Sequence, residues 1–129
     1  MKHSVKPISK AVQELRAHQP DIARVYEWSN LMGYETPKKF ARAFLRHYGK
    51  RPKRVMDRMR LARIVRHLRS SPESANFKIA RAHGLPDDNA LNKYINYHLN
   101  CSPSDVITMP DDEFGQLMEK IGSNFREEI

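Results

Sequence analysis

The segment KKFARAFLRHYGKRPKR, Lys38 to Arg54, sets eight Lys or Arg side chains and no acid around Phe40, Phe44 and Tyr48. So dense a run of ammonium and guanidinium groups offers the binding of a polyanion. On a helical wheel Phe40, Ala41, Phe44, Leu45 and Tyr48 share one sector, while Lys38, Lys39, Arg42 and Arg46 fill the next. One side packs and the other is cationic. Lys38 and Arg42 can donate to guanine O6 and N7 in a major groove. Lys39 and Arg46 flank them and suit phosphates, which fix register without reading sequence. Lys50, Arg51, Lys53 and Arg54 follow at the start of the next predicted helix, whose first amides also suit a phosphate.

Other chemistry is not expected. The six histidines form no HExxH or closely spaced Cys/His pattern, so neither a metal nor a cofactor is expected. His47 and His98 read as ordinary helix-end residues. A lone Cys101 cannot make an internal disulfide and has no cue for a nucleophile. No Ser/His/Asp set, phosphate loop or carboxylate pair stands out, so no catalytic residue is assigned and the chain does not read as an enzyme.

The elements that must position these groups are helical. Apolar residues recur at three and four, and no stretch alternates with period two, which predicts an all-α fold. A first helix is expected from Ser9, as its N-cap, to about Gln19, with Pro20 ending it. A second runs from about Arg24 to Met32 with Tyr26 and Trp28 in the core. A third spans about Pro37 to Tyr48, capped by Thr36 and closed by Gly49. A longer helix, about Pro52 to Leu68, buries Val55, Met59, Leu61, Ala62, Ile64, Val65 and Leu68, with Arg60, Arg63, Arg66 and His67 outside. RSSPES breaks the pattern; helices then follow over about Ala75 to His83 and Asp88 to Leu99, and SPSDVI begins a short last turn.

The second half repeats the first at a constant offset of about 51 residues. Gly33 meets Gly84, Phe40 meets Leu91, Arg42 meets Lys93, Phe44 meets Ile95, Gly49 meets Asn100 and Pro52 meets Pro103. Upstream, Ser29 meets Ala80. A small residue, a glycine four positions on, a turn and an amphipathic helix are what a helix-turn-helix needs, because close crossing and a tight turn both exclude large side chains.

On EWSNLMGY, KKFARAFLRHYGKRP, RLARIVRHL, KIARAHGLPDD and CSPSDV, the chain resembles the DNA-binding domain of the AraC/XylS family of bacterial transcription regulators. The resemblance covers about Val12 to Ile107. It implies two helix-turn-helix subdomains, about 9–51 and 70–107, bridged by a linker helix over about 52–69, within an AraC-like domain of 1–107. The acidic tail 108–129 lies beyond it and is expected to be partly helical, with Phe114, Leu117, Met118 and Ile121 docking on the domain. The family's second helices enter successive major-groove segments on one face of DNA. Matching positions of the second unit make Asn89, Asn92 and Lys93 expected base contacts and Ser102 an expected phosphate contact, whereas Asp87 and Asp88 read as helix caps. Departures are Leu85 and Leu91 where Phe is usual, Asn100 for Gly, and Ile107 where an Arg often stands.

Charge supports the same partner. Residues 1–70 hold 18 Lys/Arg against 5 Asp/Glu, and residues 71–129 hold 5 against 10. The implied function is sequence-specific binding of double-stranded DNA by a cytoplasmic, nucleoid-associated regulator. RNA polymerase is a further implied partner. With two readers in one chain, a monomer is able to bind. The competing expectation is a protein-interaction module on the same fold with weak or non-specific DNA binding. No membrane partner is expected, since no apolar run approaches the roughly 20 residues of a span.

Overall fold

A computed structural model describes residues 5–19 and 21–122. A short 3-10 turn, Ile8–Lys10, leads into α1 (Ala11–His18); α2 (Val25–Leu31), α3 (Pro37–Tyr48), α4 (Pro52–Ser70), α5 (Asn76–Ala82), α6 (Asp88–Leu99), α7 (Pro103–Thr108) and α8 (Asp111–Gly122) follow. The protein is all-α, with no strand among the described residues. None of their helices is long and apolar enough to cross a membrane. The chain divides into two compact units, with the boundary inside α4 between Arg58 and Met59.

The first unit is built on aromatic packing. Trp28 is fully buried, edge-on to Phe40 at 5.2 Å and Phe44 at 5.0 Å between ring centroids, and Phe44 lies 4.2 Å from Tyr48. Such tilted contacts set the positive ring edge against a negative face. The polar ends of the same rings tie in the start of the chain: Trp28 Nε1 donates to the Ala11 carbonyl at 2.9 Å and the Tyr48 hydroxyl to that of Ile8 at 2.8 Å. Buried Ser29 donates to the Thr36 carbonyl at 3.2 Å, which braces α2 against the start of α3.

The expectations for Ser9, Tyr26 and Leu45 are corrected. Ser9 does not cap the first helix: it sits inside the 3-10 turn, and α1 begins at Ala11 without a side-chain cap. Pro20 lies outside the described residues. Tyr26 is 52% exposed, because the core against α2 is filled by Trp28 and Met32. Leu45, at the edge of its helical sector, is also exposed.

The second unit packs Leu61, Ile64, Val65 and Leu68 of α4 with Ile79, Ala80, Leu91, Ile95, Val106 and Ile121. Phe114, Leu117 and Met118 of α8 lie half-buried against the same cluster. Arg69 joins α7 to α8. Its Nη1 donates to the carbonyls of Val106 at 3.0 Å, Ile107 at 3.2 Å and Met109, its Nη2 to Asp111, and its guanidinium lies 4.8 Å from the Phe114 ring centre. The guanidinium thus collects carbonyls that the end of a helix leaves unsatisfied.

Two side chains expected outside α4 are drawn inward. Arg60 donates through Nε and Nη2 to the His83 carbonyl, at 3.3 and 2.7 Å, and sits over the Tyr94 ring. His67 Nδ1 meets His83 Nε2 at 2.9 Å.

Candidate nucleic-acid interface

The 51-residue offset reappears as geometry. Both α2 and α5 have seven residues, both α3 and α6 twelve, and each second element begins 51 positions after the first. Each pair turns on a glycine with positive φ, 86° at Gly33 and 81° at Gly84, a region open to glycine without a Cβ penalty. The residue after it donates its amide to the small buried residue, Tyr34 to Ser29 at 3.1 Å and Leu85 to Ala80 at 2.8 Å. A side-chain cap opens each long helix: Thr36 accepts from the Lys39 amide, and Asp87 from the Ala90 amide. A left-handed residue closes each, Gly49 at φ 75° and Asn100 at φ 58°.

Those caps decide what α3 presents. With Phe40, Phe44 and Tyr48 committed to the core, Lys38, Lys39, Arg42 and Arg46 are all exposed. Lys39 pairs with Glu35 one turn back. The side chains of Lys38, Arg42 and Arg46 make no hydrogen bond or ion pair among the described residues. Where α3 hands over to α4, Lys50, Arg51, Lys53 and Arg54 line an open cleft of about 730 Å³ with Leu45, Gly49 and Asp57. Lys53 reaches Asp57 at 3.0 Å, so the lone carboxylate of the cleft is already engaged. Phosphate-sized anions can therefore enter a surface dominated by cations.

The second unit differs in chemistry rather than in fold. Exposed Asn89, Asn92 and Lys93 stand on α6 at the positions of Lys38, Ala41 and Arg42. Asn89 and Asn92 line a cleft of about 330 Å³ with Asn76, Asp88, Ser102, Pro103 and Ser104. Ser102 is occupied in capping α7: its amide donates to Asp105 Oδ2 at 2.9 Å and its hydroxyl accepts from the Asp105 amide at 3.1 Å. The backbone group that could meet a phosphate there faces a carboxylate instead. Among the described residues, 5–58 carry 13 basic and 5 acidic side chains, whereas 59–122 carry eight of each.

Two surface residues escaped the sequence reading. Tyr97 is 85% exposed at the register of Arg46, a position the offset marks. Asn96 donates from Nδ2 to the Asn92 carbonyl at 2.9 Å and to Asn92 Oδ1 at 3.3 Å, one helical turn away.

Burial, reinforced by Asp105 and Glu113, pushes the Cys101 thiol up. Burial, then the charges of Arg63, His67 and Arg60, lowers His83 to about 4. No group of three or more His, Cys, Asp or Glu among the described residues is placed to share a metal ion. Compared with protein-family models, curated proteins and solved structures, the chain matches none.

Proposed function

We propose that this chain is a sequence-specific double-stranded-DNA-binding transcription regulator of the AraC/XylS type, with each helix pair acting as a helix-turn-helix and α3 and α6 as its groove-reading helices. The observation that carries the reading is the repeat. Two helix pairs share element lengths, turn, caps and offset, and the first directs Lys38, Arg42 and Arg46 outward from an aromatic core. A core explains the apolar half of that pattern. Cations held off the core and away from acids are explained by phosphates and guanine edges.

In this reading Lys38 and Arg42 meet base edges, and Lys39 and Arg46 hold the flanking phosphates. Lys50, Arg51, Lys53 and Arg54 clamp a further phosphate at the start of α4. Asn89, Asn92 and Lys93 read bases from the second unit, and Ser102 serves its own helix more than a phosphate. RNA polymerase is the second partner such a regulator would engage.

The test is a titration of random-sequence duplex at several salt concentrations, with the parent and with Lys38→Ala, Arg42→Ala and Arg46→Ala combined. All three side chains are exposed, so the variant should remain folded. Counterion release makes log affinity fall linearly with log salt, by about 0.9 per phosphate neutralised. The variant should bind more weakly, with a slope shallower by roughly one for each phosphate contact removed. Equal affinity and equal slope in parent and variant would remove α3 from the interface.

A further inference from the structure

The two units carry unlike chemistry on like backbones. α3 presents four cations and no acid, whereas the polar cleft beside α6 is lined by three asparagines, two serines, Pro103 and Asp88, with no cation among them. Guanine shows only acceptors, O6 and N7, in the major groove. Against Asp88 such an edge would set acceptor on carboxylate. Adenine instead offers one donor and one acceptor, N6–H and N7, which a single side-chain amide matches with two hydrogen bonds.

Asn92 is the amide best placed for this. Asn96 Nδ2 donates both to the Asn92 carbonyl at 2.9 Å and to Asn92 Oδ1 at 3.3 Å, fixing the amide before any partner arrives. One Oδ1 lone pair and both Nδ2 hydrogens then remain for a base. The other two amides of the cleft, Asn76 and Asn89, have no such side-chain brace among the described residues. A side chain fixed in advance loses less rotamer freedom on binding, which favours Asn92 as the reader.

We propose that Asn92, held by Asn96, reads adenine, so that the target duplex is asymmetric, with guanine under α3 and an A·T pair under α6. Asn96 is a positioning residue. The proposal rests on the duplex-reading function above and adds the base class of its second half.

The test takes the duplex that the parent enriches from a random pool and replaces each base pair in turn, measuring competition against parent, Asn92→Ala, Asn96→Ala and Lys93→Ala. Asn92 and Asn96 are exposed, so both variants should keep the fold. One A·T pair is expected to lose roughly tenfold or more of its discrimination with Asn92→Ala. Asn96→Ala should lose part of the same preference, and both should keep the guanine preference that Arg42 supplies. A change in overall stability alone would not move one base position and leave another. An enriched duplex whose A·T pairs are indifferent to Asn92→Ala overturns the proposal while leaving the duplex-reading function standing. A second half that prefers guanine and loses it with Lys93→Ala does the same. If the folded parent enriches no duplex, the reading beneath the proposal fails and the proposal with it.

Discussion

His83 shows how one side chain can make stability depend on pH. Its ring lies against His67, its Nδ1 is buried without a partner among the described residues, and its carbonyl is held by Arg60. Burial comes first and the neighbouring cations second in lowering its pKa from 6.5 to about 4. The folded protein therefore holds this ring neutral where the unfolded chain would protonate it. The resulting stabilisation is complete above about pH 6.5 and is lost as the pH falls towards about 4. The thermal midpoint should drop between pH 6.5 and 5, before most carboxylates titrate, and His83→Gln should flatten that part of the curve. At the same locus Arg60→Met removes a charged donor from a backbone carbonyl and should cost about 2 kcal/mol in denaturant unfolding. None of this was legible locally, since His83 lies 16 residues from His67 and 23 from Arg60.

Helix ends were the most legible elements, because their signals are carried by single residues. Thr36, Pro37 and Gly49 bound α3 at Pro37–Tyr48, and Asp87 and Asn100 bound α6 at Asp88–Leu99, as their capping chemistry predicts. Thr36→Ala and Asp87→Ala should each cost about 1 kcal/mol by thermal or denaturant unfolding. Gly49→Ala meets no atom within 4 Å, so its cost comes from the left-handed backbone alone, about 1–2 kcal/mol. Asn100→Gly, at the equivalent position, should change stability by less than about 0.5 kcal/mol, since both residues accept that conformation. Where the reading failed, the deciding interaction came from another element. Ser9 gave way to a 3-10 turn whose end of the chain is tied to Trp28 and Tyr48. Tyr26 is apolar enough for a core that Trp28 and Met32 already fill. Arg69 carries no local signal of its role, since its partners lie 37 to 42 residues away.

At the scale of the whole molecule, charge is divided unequally between the units. Residues 5–58 carry the excess of cations and residues 59–122 balance theirs. The salt dependence of DNA binding should accordingly reside in the first unit: Arg51→Ala with Arg54→Ala should make the slope shallower, whereas Asn89→Ala with Asn92→Ala should weaken binding to a selected duplex without changing it. The cationic face of α3 was readable from composition and helical periodicity. The second unit's cleft was not, because Asn76, Asn89 and Ser104 come together only through the turn at Gly84 and the cap at Ser102. The most direct measurement is selection of bound duplexes from a random pool at near-physiological salt, with parent and Arg42→Ala side by side. The account predicts one enriched motif with two separable parts, of which Arg42→Ala loses the guanine-containing one and keeps the other. A folded parent that enriches no motif would contradict it.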